Sequence, residues 1–346
     1  MKQPVDWAAL ERMRAVFLGR EALRSAYWRN ESDLASYDAT LGERIGWKWD
    51  AVIRDLKLRG WRPPPGPVLD FGCGSGVAGR RVLESFGTAG VESLALHDRS
   101  GLAMEFARRK AAMAFPGLTV AAAGASLLEG NVPLGTLVVS HVLSELPGRE
   151  RRRLVALAAR AQAILWVEPG THEDSQSLIA VRAELADHFR VVAPCTHGTV
   201  CGLLRPGNER HWCHHFARPP WEIFADPDWA EFARRMGVDL RSVPYSYLIL
   251  DRGEESEREA GWSRVLGSPR SYKGYSRVFS CDAGGVRDLR LARRTHARVL
   301  DRMEEPGGPR LYRWQTEGED VIAISAEFPP PAAELPATEL DSDSVA

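Results

Sequence analysis

Two groups of residues in this chain have the types and spacing that chemistry requires. The first is a cysteine series: Cys195, Cys201 and Cys213 follow the spacing C-x5-C-x11-C, and Cys281 comes 68 positions later. Thiolates gathered in a loop-rich segment are ligands for a soft metal or an iron–sulfur cluster. Structural zinc sites use short C-x2–4-C knuckles, which the sequence lacks, and longer irregular spacing suits a [4Fe–4S] cluster. The neighbouring His197, His211, His214 and His215 keep a mixed Cys/His zinc site open. The second group is Val68-Leu69-Asp70-Phe71-Gly72-Cys73-Gly74-Ser75-Gly76, an apolar strand running into a glycine-rich turn. Gly72, Gly74 and Gly76 let backbone turn tightly and approach a ligand closely. Asp98 follows Gly76 by 22 positions, where an acid ending the next strand can hold both hydroxyls of a ribose. Cys73 inside the loop reads as a small filler.

A third stretch, Ser140-His141-Val142-Leu143-Ser144-Glu145-Leu146, closes a later strand. His141 and Glu145 have the side chains of acid–base groups. Such residues more often line a cofactor pocket or cap a helix, and His141 is assigned to the cofactor pocket. No cysteine nucleophile lies near this strand or the next, so no catalytic residue is assigned.

These groups need a frame. Residues 1–60 carry helical periodicity (Leu10, Met13, Phe17; Ile45, Trp49, Val52, Leu56), and Pro63-Pro64-Pro65-Gly66 ends it. From 61 to 193 strands and helices alternate: strands at 67–71, 93–97, 118–122, 136–140 and 163–167, helices at 77–86, 102–115, 150–160 and 175–188. That alternation predicts an α/β fold with a doubly wound, mainly parallel sheet. The rhythm stops in the Cys-rich stretch 194–243. Strands at 245–250 and 275–281 are expected to complete the core within 244–300. Residues 301–346 are left as a C-terminal extension whose Pro- and acid-rich end, from 329, is expected to be disordered.

Composition narrows the class. There are 45 Lys plus Arg against 46 Asp plus Glu, a net charge of −1, so overall charge does not mark a nucleic-acid binder. Only Lys2, Lys48, Lys57, Lys110 and Lys273 are lysines; the other cations are arginines, suited to bidentate phosphate contacts. Arg149, Arg151, Arg152 and Arg153 form one run, Arg290, Arg293, Arg294 and Arg298 another, and both are candidate RNA contacts. No apolar run approaches the roughly 20 residues of a membrane span, and the first ten residues lack a signal-peptide core. A cytoplasmic monomer away from membranes is expected.

The loop Asp70-Phe71-Gly72-Cys73-Gly74-Ser75-Gly76 resembles the first motif of class I S-adenosylmethionine-dependent methyltransferases, an acid followed by G-x-G-x-G. The resemblance implies S-adenosylmethionine as cofactor, with Asp70 near its methionine end. Amino-methylating members carry an Asn- or Asp-Pro-Pro-aromatic clamp after the fourth strand, which Ser140 to Leu146 does not match. A wider stretch, about 37–300, resembles the methyltransferase-like small-ribosomal-subunit proteins of bacteria and mitochondria, whose mitochondrial members are assembly factors. The matching pieces are the cofactor loop, Val167-Glu168-Pro169-Gly170-Thr171, Pro194-Cys195-Thr196-His197, Trp212-Cys213-His214, and Ser280-Cys281-Asp282 with Gly284-Gly285. This implies a [4Fe–4S] cluster held by Cys195, Cys201, Cys213 and Cys281, and binding to small-subunit ribosomal RNA, through methyl transfer or as a non-catalytic assembly factor. A small-molecule methyltransferase is the weaker reading. One departure is Gly202, where the family usually has proline; another is the segment 298–346, which does not match.

Overall fold

The computed structural model describes residues 5–18, 27–130, 132–253, 261–305 and 307–329. The chain divides into two compact units, Met1–Pro194 with His211–Glu255, and Cys195–Arg210 with Ser256–Ala346.

The first unit opens with helices α1 (Trp7–Leu18) and α2 (Glu31–Tyr37), a π-helical turn (Asp38–Gly42) and α3 (Glu43–Leu58). Asn30 starts α2 by accepting the Asp33 N–H on its side chain. Trp49, Val52, Ile53 and Leu56 recur at helical spacing, and α3 buries them all. Then come β1 (Gly66–Phe71), α4 (Val77–Phe86), β2 (Val91–His97), α5 (Gly101–Ala114), β3 (Val120–Ala122), α6 (Ala125–Leu128), β4 (Leu134–Ser140), α7 (Gly148–Ala158), β5 (Ala161–Pro169), α8 (His172–Leu185), β6 (Arg190–Ala193), β7 (His215–Ala217), α9 (Pro227–Met236) and β8 (Val243–Asp251).

The sheet order is β3-β2-β1-β4-β5-β8-β6, with the short β7 also paired to β8. Pairings among β1 to β5 are parallel, whereas β8 runs antiparallel to β5, β6 and β7. A reversed strand inserted between the fifth and sixth is the arrangement of class I S-adenosylmethionine-dependent methyltransferases, the doubly wound fold expected from the sequence. Leu137–Val139 and Ile164–Val167 are fully buried because helices cover both faces.

The second unit corrects the sequence-based division of the chain. Only β8 completes the sheet. The next strands, β9 (Ser263–Tyr272), β10 (Tyr275–Asp282) and β11 (Gly285–Ala292), are followed by α10 (Arg293–Glu304), β12 (Leu311–Glu317) and β13 (Asp320–Phe328). They close a five-stranded barrel in the order β10-β11-β13-β12-β9. Tight turns at Lys273-Gly274 and at Ala283-Gly284 fold the strands onto each other instead of onto β8. The helix between the third and fourth strands, and the parallel pairing of β11 with β13, give the barrel the OB topology. Val265, Val278, Leu289, Leu291, Leu300, Met303, Tyr312 and Val321 fill it. The described residues of 301–328 are therefore part of a folded barrel, while the end expected to be disordered lies outside the described residues beyond 329. The Cys-rich stretch 194–243 is not one insert either: 195–210 belongs to the barrel's unit and 211–243 to the sheet's. Of the arginine runs, Arg149 to Arg153 lie on α7, where Arg151 reaches the Ser177 carbonyl. Arg290 lies on β11, separate from Arg293, Arg294 and Arg298 on α10. No described helix is long and apolar enough to cross a membrane.

One buried acid ties the far edge of the sheet together. Asp251, ending β8, accepts from Arg190 Nε and Nη2 at 2.6 and 2.9 Å and from the Trp61 indole. Asp251→Ala leaves Arg190 without its counter-charge and should cost about 3–5 kcal/mol in denaturant unfolding. Arg241→Ala, which breaks only the exposed pair with Asp239, should leave the unfolding midpoint unchanged.

Candidate functional site

The carboxyl ends of β1, β2, β4 and β5 lie at one edge of the first unit's sheet, and every cofactor-loop residue named from the sequence is there. Gly72, Gly74 and Gly76 have φ of 69°, 50° and 79°, the left-handed region closed to most side chains. A Cβ at Gly72 would stand 2.3 Å from Val142 Cγ1, and one at Gly76 2.8 Å from Ala107 Cβ. At Gly74 a Cβ would meet nothing within 4 Å: this is where the loop is open. The Gly74 N–H donates to Asp98 Oδ2 at 3.0 Å, and Asp98 Oδ1 accepts from Ser100 N at 2.8 Å. Asp98 thus stands at the end of β2 with its carboxylate oriented by two backbone amides.

Asp70 is fully buried under the loop. Its Oδ2 accepts the Gly79 N–H at 3.0 Å, which pins the first turn of α4 to the end of β1. Its Oδ1 has no partner. Burial pushes this carboxyl up to about 7, against the pull of the Gly79 amide. An unpartnered buried oxygen beneath an open glycine cradle, with a second acid beside it, fits an adenosyl cofactor: Asp98 to hold the ribose, Gly72 to Gly76 to receive the rest of it. Cys73 is buried and its thiol is pushed well up by burial, consistent with a filler rather than a nucleophile.

His141 follows β4 with φ 57°, the one non-glycine residue in the left-handed region among the described residues. Its Nε2 lies 2.8 Å from Lys48 Nζ, and its Nδ1 3.1 Å from Ser140 Oγ, which accepts the Trp49 indole N–H at 3.0 Å. Burial, then the Lys48 charge, hold the imidazole well below its ordinary range, so it is neutral. A neutral ring accepting from Lys48 carries its proton on Nδ1 and donates to Ser140. Lys48 itself is lowered to about 7 by burial, followed by Arg44.

Sequence reasoning gave no role to Lys48 or Glu168. Glu168 Oε1 gathers the N–H groups of Val142 and Leu143, both at 3.2 Å, and the Trp166 indole at 2.7 Å. It therefore fixes the turn that carries His141. Burial raises Glu168 to about 8 despite the Trp166 bond, and Oε2 is unpartnered. The only sequence signals were a lysine in an arginine-dominated chain and an acid ending the apolar run Ile164–Val167. Glu145 is half-buried and raised to about 7, chiefly by burial; its Oε2 accepts from Tyr27 Oη at 3.4 Å.

The cysteines do not form a complete ligand set in this structure. Among the described residues no three His, Cys, Asp or Glu side chains are grouped to hold a metal. In the second unit, however, the residue after Cys201 meets the turn after Cys281. A Cβ on Gly202 would lie 2.7 Å from Gly285 Cα and 2.9 Å from Val286 N, and Val286 is the cross-strand partner of Cys281. Arg205 donates to the Gly284 carbonyl at 2.6 Å in the same corner. This close approach accounts for glycine at 202. Cys195 lies earlier on the same segment. In the first unit, Cys213 is set by the Ser175 hydroxyl accepting its N–H and by Ser246 donating to its carbonyl, with His215 Nε2 3.7 Å from its sulfur. The donor chemistry suits a soft metal; the geometry supplies one approach, that of Gly202, next to Cys201, to Gly285 and Val286, opposite Cys281.

The Glu168 carboxyl makes a pH prediction. Its folded value, about 8, lies above its ordinary 4.5. The stability it contributes is full below about 4.5 and is lost as pH rises through about 8. Glu168→Gln keeps the acceptor oxygen and removes the titration. The variant should therefore gain melting temperature relative to wild type, by several degrees, between pH 6 and pH 9; parallel curves would place the proton elsewhere.

No curated protein matches the chain in sequence. Among solved structures, the magnesium protoporphyrin IX methyltransferase of Synechocystis PCC 6803 with bound S-adenosylmethionine is similar at 14% identity. That match covers 73% of this chain and 100% of the other, with a TM-score of 0.39. A Leishmania major S-adenosylmethionine-dependent methyltransferase is similar at 14% identity, over 71% of this chain and 83% of its own, with a TM-score of 0.37. The sequence pattern of the family described as mitochondrial small ribosomal subunit Rsm22 matches residues 44–298, from α3 through the cofactor edge and the cysteine series into α10. The chain belongs to the Rsm22 family.

Proposed function

We propose that this protein binds S-adenosylmethionine at the Asp70–Gly76 loop and works on the small ribosomal subunit, in contact with its RNA, during assembly or translation. The observation that carries the cofactor reading is the open position at Gly74 beside the amide-held Asp98. The family match supports the ribosomal reading. When bound, the cofactor supplies an electrophilic methyl group. The chain's own residues bind and orient: Asp98 the ribose, the glycine turn the backbone-facing side, and Glu168 the loop that holds His141 against Lys48. Methyl transfer can proceed by positioning alone. His141 accepts from Lys48 and donates to Ser140, so both ring nitrogens are engaged and it orients this edge of the site.

Calorimetry with S-adenosylmethionine tests the first half. Wild type should bind in the micromolar range, Asp98→Ala should bind at least about tenfold more weakly, and Gly74→Val should not bind. No heat from wild type at millimolar cofactor refutes the cofactor reading. Co-sedimentation with small subunits at stepped salt tests the second half: binding should fall steeply with salt, and charge reversal at Arg149, Arg152 and Arg153 on α7 should weaken it.

The [4Fe–4S] cluster implied by the family resemblance belongs to the same proposal, with Cys195, Cys201, Cys213 and Cys281 as ligands and zinc as the alternative metal. The meeting of the Gly202 segment with the Cys281 hairpin supports it. Anaerobically purified protein should contain iron and acid-labile sulfide. Cys201→Ser and Cys281→Ser should each lose them, and Cys73→Ser should keep them. A single zinc without sulfide rejects the cluster.

A further inference from the structure

The barrel of the second unit carries an outward-facing surface that its own folding does not explain. Arg277 on β10 is the direct cross-strand partner of Arg270 on β9 and of Arg290 on β11, so three arginines stand side by side across three strands. Neighbouring strands are only about 4.8 Å apart, and like charges directly opposite destabilise a sheet. Asp288 bridges Arg270 and Arg277, Glu319 lies 2.7 Å from Arg277, and Asp320 pairs with Arg290. These are solvent-exposed pairs, weakly held and easily exchanged for another anion. Two residues along the strands, Tyr272 and Tyr275 form the next cross-strand pair, on either side of the Lys273-Gly274 turn. Their rings are stacked, 5.0 Å apart and within 14° of parallel, and Tyr272 is 48% exposed. The Arg290 guanidinium lies 5.8 Å from the Tyr275 ring centre. Tyr275's partner on the other side is Ala292, too small to cover it.

We propose that the outer face of β9, β10 and β11 binds single-stranded RNA, with bases stacking on the Tyr272–Tyr275 platform and phosphates taken by Arg270, Arg277 and Arg290. A flat aromatic pair offers a surface to every base but only to one that is unpaired, because a duplex hides its base faces. A row of arginines one residue pair away is placed for the backbone that joins such bases. The OB topology presents its second and third strands in this way to oligonucleotides. The acids between the arginines then act as a placeholder that phosphate displaces. The inference rests on the reading that the protein works on RNA of the small subunit, and names a second site for it, on the second unit.

The test uses the full chain and a fluorescent ten-nucleotide oligouridylate, alone or annealed to oligoadenylate, followed by anisotropy at several salt concentrations. The single strand should bind at least about tenfold tighter than the duplex. Tyr272→Ala should weaken it about tenfold or more, and Tyr272→Phe should not. Arg277→Gln should weaken binding and lower the salt slope by about 0.7. Unchanged affinity in Tyr272→Ala, or equal affinity for the duplex, overturns the proposal. Co-sedimentation of the same proteins with small subunits separates the two readings. Wild type that binds subunits while its oligonucleotide binding ignores Tyr272 refutes this face alone; wild type that binds neither refutes the ribosomal reading with it.

Discussion

The junction between β1 and α4 constrains the whole first unit. A parallel strand must hand over to a helix in five residues, and the helix must come back within contact of the strand it left. Three left-handed glycines make the reversal, and the buried Asp70 carboxylate then holds the Gly79 amide. Even Gly79 is dictated by this bond, since a Cβ there would sit 2.7 Å from Asp70 Oδ2. What remains is one unsatisfied oxygen, one open glycine and one acid at the end of β2. The turn that hands β1 to α4 and the candidate ligand site are the same object.

The neighbouring edge follows a different logic. Lys48 reaches it from α3, His141 from the end of β4, and Glu168 from β5, and none is near another in sequence. All three are ionisable, and all are displaced from their ordinary titration ranges by burial. Burying such groups is costly unless hydrogen bonds compensate; Trp166 and two backbone amides supply them to Glu168, and His141 pairs with Ser140 and Lys48. His141 is held in a backbone conformation that favours glycine, so its imidazole is kept at some expense.

The alternation of strands and helices from 61 to 193 was legible because periodicity is a local property, and so was the glycine loop, whose strand, turn, helix and acid come in order. Helix α4 begins and ends where its apolar spacing puts it. The barrel was not legible. β9, β10 and β11 have the same alternating pattern as strands that would extend an open sheet, and closure depends on which edges pair, a non-local fact carried by two short turns and a single parallel bridge from Arg290 to Asp320. Grouping Arg290 with the arginines of α10 was the same error on a smaller scale: adjacency in sequence, opposite kinds of element. Lys48 was hidden because nothing near it announces a partner 93 positions away.

The place of β8 in the sheet has a consequence for how the protein is made. β8 lies between β5 and β6, yet it leaves the ribosome after both. Until Val243–Asp251 has been synthesised, β5 has one bare edge and β6 has no strand to pair with. Meanwhile the chain has already passed through the Cys195–Arg210 segment, whose own unit awaits strands that come later still. A nascent chain in this condition exposes unpaired backbone beside some of the most apolar strands of the molecule, the state in which strand-edge association competes with folding. Synthesis that stalls between α8 and β8 should therefore be more hazardous to solubility than stalling at either end, and this stretch is where a chaperone would be needed.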